Sequence, residues 1–281
     1  MTTTREQSEV DAANASDRQP VVFVHGLWLL AASWDPWRAL FEERGYATLA
    51  PGWPDDPETT DVARQDPGSF AGKSIGQVTE YQAGIVRQLE RKPVIIGHSF
   101  GGLLAQKLAG MGLAAGAVAI DPAPFRGVLP LPLSALKAAS PVLRNPANRN
   151  KSVALTYEQF RFAFANAVSE DEAHELYEKY AVAGPGVPLF QAAVANVNWN
   201  TEASVDTKNP DRGPLLIISG EKDNTVPPSI ANASYKRYKD NPGPTEIKEI
   251  KDRGHSLTID SGWREVADTA LDFLDRHGLK A

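Results

Sequence analysis

The sequence predicts an α/β fold, a mostly parallel sheet of about six strands flanked by helices with a helical cap inserted into it. Three observations carry that prediction. Short apolar runs of strand length alternate with stretches of helical period along the chain. One long passage late in the chain has no strand-like run at all. Between them, Gly97-His98-Ser99-Phe100-Gly101 joins an apolar run to a helical stretch through a sharp turn.

The elements follow in order. Residues 1–19 are polar and read as a disordered tail. Val21-Val22-Phe23-Val24 is the first strand, and a helix over residues 34–43 leads to a second strand at 46–49, closed by the breakers Pro51-Gly52-Trp53-Pro54. Ser74 and Gln77 have capping-box spacing, and Ile75, Val78, Ile85 and Leu89 keep helical phase after them. Pro93-Val94-Ile95-Ile96 is a buried strand whose proline sits where no ladder bond is lost. Leu103, Leu104 and Leu108 then share a helix face that closes at Gly110 or Gly112. Later strands lie at 116–120, 215–219 and 246–250, and Trp263, Val266, Ala270, Phe273 and Leu274 mark a final amphipathic helix.

After Asp121 comes a proline-rich passage, and the next strand is about ninety residues away, too far for an ordinary loop. Thr156 with Gln159 and Ser169 with Glu172 signal two helix starts, and Gly184-Pro185-Gly186 breaks the chain before a third helix over 189–197. The core therefore comprises residues 20–124 and 202–281, and residues 125–201 form the cap. Its aromatics, Tyr157, Phe160, Phe162, Phe164, Tyr177, Tyr180, Phe190 and Trp199, are dense enough to roof an apolar pocket, although most are expected to pack the cap itself.

The pentapeptide carries chemistry. A serine hydroxyl is a weak nucleophile until a base takes its proton, and its oxygen must protrude where base and substrate both reach it. A turn that tight needs Gly97 and Gly101, and the helix that follows aims its N-terminal N–H groups at the site. His255, in Gly254-His255 after the strand at 246–250, is the expected base. Asp223, in the loop after the strand at 215–219, is the expected orienting acid; Asp121, which also ends a strand, is the alternative. Phe100 and Leu27 are the expected backbone donors of an oxyanion hole. His25 and His98 read as loop-shaping residues, and Trp28 and Trp53 as candidate borders of the substrate entrance.

Composition narrows the function. A net charge of -6 leaves no basic footprint for nucleic acid, and the densest basic patch, Lys236-Arg237-Tyr238-Lys239, suits a solvated helix end. The chain has no cysteine, so disulfide, thiol and cysteine-metal chemistry are excluded; His174 and His277 have no second ligand at helical spacing, and no metal is expected. Gly72-Lys73-Ser74 has the end of a phosphate-binding loop but Pro67 where its first glycine belongs. Without an apolar leader or spanning run, the chain is expected to be cytoplasmic, with a small-molecule substrate and no membrane or nucleic-acid partner.

Taken together, Val22-Phe23-Val24-His25-Gly26, Gly97-His98-Ser99-Phe100-Gly101-Gly102, Gly220-Glu221-Lys222-Asp223 with Val226-Pro227, and Gly254-His255 resemble the α/β-hydrolase superfamily, in its branch of small esterases and cofactor-free haloperoxidase-like enzymes. The resemblance spans residues 20–278. It implies a Ser99, Asp223, His255 triad, acyl transfer through an acyl-enzyme, and no cofactor. The expected activity is hydrolysis of a carboxylic ester or lactone of a small to medium apolar substrate, falling as pH drops through about 6 to 7, where histidine titrates. The same fold also carries lyases, C–C bond hydrolases and receptors, and such lyases often use a charged cap residue, for which Lys137, Arg144, Arg149 and Arg161 are candidates. Family members commonly begin with a two-strand hairpin that is missing here, so the strand at 46–49 is expected to leave an edge that a second subunit could cover.

Overall fold

The computed structural model describes residues 2–281. Helix α1 (Thr4–Asn14) opens the chain, followed by β1 (Pro20–Val24), α2 (Asp35–Glu43), β2 (Ala47–Leu49), α3 (Thr60–Gln65), α4 (Ile75–Val86), β3 (Val94–His98), α5 (Phe100–Gly110) and β4 (Gly116–Ile120). Residues 125–201, the expected cap, contribute α6 (Leu133–Leu143), β5 (Ser152–Val153), α7 (Tyr157–Ala163), α8 (Glu170–Tyr180), β6 (Gly184–Pro185) and α9 (Gly186–Ala193). The chain then returns to the core through β7 (Leu215–Gly220), α10 (Pro228–Lys236), β8 (Thr245–Ile250) and α11 (Trp263–Arg276).

The main sheet has six strands in the order β2-β1-β3-β4-β7-β8, every neighbour parallel. Period-two alternation divides its side chains between two faces. Val21 and Phe23 join Trp34, Trp37, Phe41 and the buried face of α11 on one side, while Val22 and Val24 pack with α4, α5 and α10 on the other. From β1 the chain goes to β2 on one side and later to β3 on the other. The carboxyl ends of β1 and β3 thus flank a topological switch point, where such sheets open a crevice.

Residues 4–14 are helical, not a disordered tail. Thr3 and Glu6 cap α1 reciprocally, Val10 and Ala13 are buried, and the polar residues have partners: Glu9 accepts from Ala50 N–H at 3.2 Å and Glu6 from Gly52 N–H at 3.1 Å. The polarity that suggested a tail binds the backbone just beyond β2. Helix α1 packs on that strand, so the bare edge predicted there is covered from within the chain.

The proline-rich passage holds a helix, α6, with Pro141 inside it. A proline lacks the N–H that would bond the carbonyl four residues back, and here the Ser140 hydroxyl donates to Lys137 O at 2.7 Å instead. The third cap helix begins earlier than its periodicity suggested, at Gly186, and Gly184-Pro185 pairs with Ser152-Val153 in a short antiparallel bridge. Among the described residues, no helix is long and apolar enough to cross a membrane.

Candidate active site

Ser99 sits between β3 and α5 with φ 57° and ψ -120°, a conformation an L-residue holds only when its surroundings enforce it. The enforcement is visible in the glycines. A Cβ on Gly97 would collide with the Gly101 carbonyl, and one on Gly26 would lie 2.8 Å from Ser99 Cβ and 3.4 Å from Phe100 N. The loop after β1 is thereby pressed against the serine. Among the described residues, neither Leu27 N–H nor Phe100 N–H has a backbone acceptor, leaving two free donors at the switch point and at the N-terminus of α5.

Asp223 and His255 are brought into contact. The imidazole Nδ1 lies 2.6 Å from Asp223 Oδ2, and both side chains are fully buried. Asp223 Oδ1 accepts from Thr225 N–H at 2.6 Å and Val226 N–H at 2.9 Å, which fixes the carboxylate against its own turn. With Nδ1–H donated to Asp223, Nε2 carries the free lone pair, and it is buried without a protein partner. The His98 ring, one residue before Ser99, lies 4.6 Å from that of His255. Burial, and then the neighbouring His255, hold His98 well below the ordinary histidine range, so it stays neutral.

Asp121 stands 3.9 Å from His255 Nδ1, too far to replace Asp223. Its Oδ1 accepts from Gly220 N–H at 2.8 Å. Burial, followed by the charge of Asp223, pushes its carboxyl well above the usual range. His98, Asp121 and His255 bring ligand-capable atoms within 4.8 Å of one another, but His255 Nδ1 is committed to Asp223 and Asp121 Oδ1 to Gly220.

The cap staples these loops. Thr225 Oγ1 donates to Ala163 O at 2.6 Å, Asn224 Nδ2 to Phe162 O at 3.0 Å, and Asn166 Nδ2 to Lys222 O at 2.7 Å. Phe164 packs edge-on against the imidazole at 4.8 Å, while its carbonyl accepts from Ser256 N–H at 2.9 Å.

Ser99 and Phe100 line a cavity of about 150 Å³ whose remaining walls are almost wholly aliphatic, including Leu131, Leu136, Leu143, Leu189, Val226 and Ile230. Trp28 borders it; it holds φ 64°, and its indole donates to Val153 O at 2.9 Å. Trp53 does not. It lines a separate depression beside α1, stacks on His25 at 5.8 Å and donates to His25 O at 3.2 Å. His25 is the expected loop former, with Nδ1 2.9 Å from Gly26 O and Nε2 3.1 Å from Asp56. None of the eight cap aromatics lines the cavity; Phe160, Phe164, Tyr157 and Tyr177 pack against one another instead. Sequence reasoning missed the aliphatic lining, which comes from four separated segments; the leucines at 131–143 were its one local signal. Lys137, Arg144, Arg149 and Arg161 all lie off the cavity: Lys137 rests over the Phe162 ring, and Arg161 bonds Glu170 and the Ala165 and Val168 carbonyls.

Residues 21–269 match the profile of the alpha/beta hydrolase family, and the chain belongs to that family. No curated protein sequence matches it. Among solved structures it is similar to a monoacylglycerol lipase of Paleococcus ferrophilus, at 21% identity over 92% of this chain and 94% of that one, TM-score 0.65. A pyrethroid hydrolase of Sphingobium faniae JZ-2 has 19% identity, coverages of 92% and 97%, and TM-score 0.65. A thermophilic esterase of Thermogutta terrifontis has 17% identity, coverages of 92% and 90%, and TM-score 0.65. These likenesses establish a shared fold.

Proposed function

We propose that this protein is a serine hydrolase that cleaves a carboxylic ester, or the internal ester of a lactone, of a small to medium apolar substrate. The observation that carries the reading is the buried Asp223–His255 pair at 2.6 Å, with Nε2 left free and the imidazole 4.6 Å from the ring of His98, the residue before a serine held at φ 57°. Ser99 Oγ attacks the acyl carbonyl as His255 Nε2 takes its proton. Asp223 holds the tautomer and offsets the charge that forms on the ring. The oxyanion is received by Leu27 and Phe100 N–H, donors fixed before the charge develops. His255 then returns the proton to the leaving alkoxide, and water repeats the sequence on the acyl-enzyme to release the acid.

The aliphatic cavity beside Ser99 supports an apolar acyl or alkyl group, and its volume of about 150 Å³ is that of a site that takes benzene. No cap cation reaches it, so nothing favours a lyase reading that needs one. The test is a p-nitrophenyl ester series of increasing acyl length with wild type and Ser99→Ala. Turnover that peaks at short to medium chains and vanishes in the variant is expected; turnover persisting in Ser99→Ala would contradict the proposal.

A further inference from the structure

Among the described residues, exposed large hydrophobic side chains concentrate in two segments, 129–136 and 194–199, beside the Ser99 cavity. Leu131 and Leu136 line the cavity from one side while remaining 65% and 40% exposed. Leu129 and Leu133 flank them at 75% and 84% exposure. The segment after α9 adds Val197 and Trp199, at 80% and 82%. The two segments are tied together, because Asn196 accepts from Gly127 N–H at 2.7 Å and donates to Val128 O at 2.9 Å. Patches of this kind on a soluble fold mark interaction sites.

Charge says what covers it. Between Asp121 and Glu158 the chain carries Arg126, Lys137, Arg144, Arg149 and Lys151 and no acid, and residues 181–201 carry no charge, in a protein of net charge -6. The cations adjoin the leucines. Arg126 lies over the Trp199 ring at 4.2 Å and donates to Trp199 O at 2.9 Å; Lys137 and Arg144 are exposed on and just after α6. Arg237, just after α10, packs its guanidinium against Gly127 and so adds a further cation beside the same segment. Glu202, the next acid after residue 201, is exposed and is engaged by Gly76 N–H and Gln191.

We infer that this leucine-rich, cationic mouth docks on an anionic lipid surface, from which an apolar ester passes directly into the Ser99 cavity. Leucine and tryptophan side chains enter the boundary between headgroups and acyl chains, while the arginines and lysines pair with lipid phosphates. Contact with the lipid would cover the entrance, so substrate need not cross water. The expectation of no membrane partner rested on the lack of a spanning segment, and surface docking needs none. Only the substrate half of the inference rests on the ester-hydrolase reading.

The test is cosedimentation of the full chain with phosphatidylcholine vesicles, with and without phosphatidylglycerol, alongside turnover of a soluble short-chain p-nitrophenyl ester. Wild type is expected to bind the anionic vesicles, less so at high salt. Leu129→Ser with Leu133→Ser, neither of which lines the cavity, should lower binding about tenfold or more with soluble-ester turnover unchanged. Lys137→Glu with Arg144→Glu should abolish the preference for anionic lipid. Failure to bind either vesicle would overturn the inference, as would binding unchanged in both variants. A dimer that dissociates in the leucine variant would overturn it too, by assigning the patch to a second copy. Vesicle binding without soluble-ester turnover would leave the docking intact and defeat the hydrolase reading instead.

Discussion

The two halves of the cap meet the core by different physics. The α7 half touches the acid and histidine loops through directed bonds: Thr225 to Ala163, Asn224 to Phe162, Asn166 to Lys222, and Ser256 to Phe164. The α6 and α9 half meets the serine across an aliphatic cavity, and its own rim is exposed. Hydrogen bonds fix positions, whereas aliphatic contact tolerates a change of occupant. The half that packs on the imidazole is bonded, and the half that walls the cavity is aliphatic.

That contrast can be broken or sharpened by substitution. The largest effects belong to the reacting groups: Ser99→Ala and His255→Ala should each lower kcat by about a millionfold and Asp223→Asn by about ten-thousandfold. Next is the bonded half, where Phe164→Ala removes a buried ring from the face of His255. A loss of about 3–5 kcal/mol in urea unfolding is expected, together with a fall in kcat larger than any change in KM. Thr225→Val, which deletes one staple, should cost about 1–3 kcal/mol and lower kcat modestly. In the aliphatic half, Ala139→Phe should raise KM for longer acyl chains several-fold while short esters keep their kcat, since only volume is lost. Equal kcat losses from both halves would erase the distinction.

The smallest effects are in the pH dependence of stability. His98 is held neutral by burial, below its ordinary 6.5, so unfolding takes up a proton in acid; stability falls as pH drops below about 6.5, and His98→Gln should flatten that fall. Asp121 is shifted the other way. Its raised folded value makes its contribution greatest in acid and smaller as pH rises above the ordinary 3.8. Asp121→Asn, which cannot ionise, should remove that decline and leave turnover within several-fold of wild type. Urea midpoints measured across the pH range check both signs.

What the sequence made legible was local. The capping boxes at Ser74 with Gln77 and Thr156 with Gln159 form as read, because each is closed by residues three apart. The strands and the elbow were legible because apolar runs and glycines answer to nearby sterics. Helix α1 was hidden because Glu6 and Glu9 are polar for the sake of Gly52 and Ala50, more than forty positions away. Helix α6 was hidden by prolines whose missing bond Ser140 supplies. At the site, His255 and Asp223 could be placed from loops that follow strands, yet the choice between Asp223 and Asp121 needed the distances of 2.6 and 3.9 Å. Trp53 was misread because its aromatic type suited a pocket rim, while its neighbours made it a prop for His25.

The account stands most directly on whether Ser99 is a nucleophile activated by His255. Intact-mass measurement of fluorophosphonate labelling, with wild type, Ser99→Ala and His255→Ala compared at matched folding, reads this in one experiment. A single adduct on Ser99, absent from Ser99→Ala and slowed by about a thousandfold or more in His255→Ala, is the predicted result. A folded wild type that takes no adduct, or a His255→Ala variant labelled as fast as wild type, would contradict it.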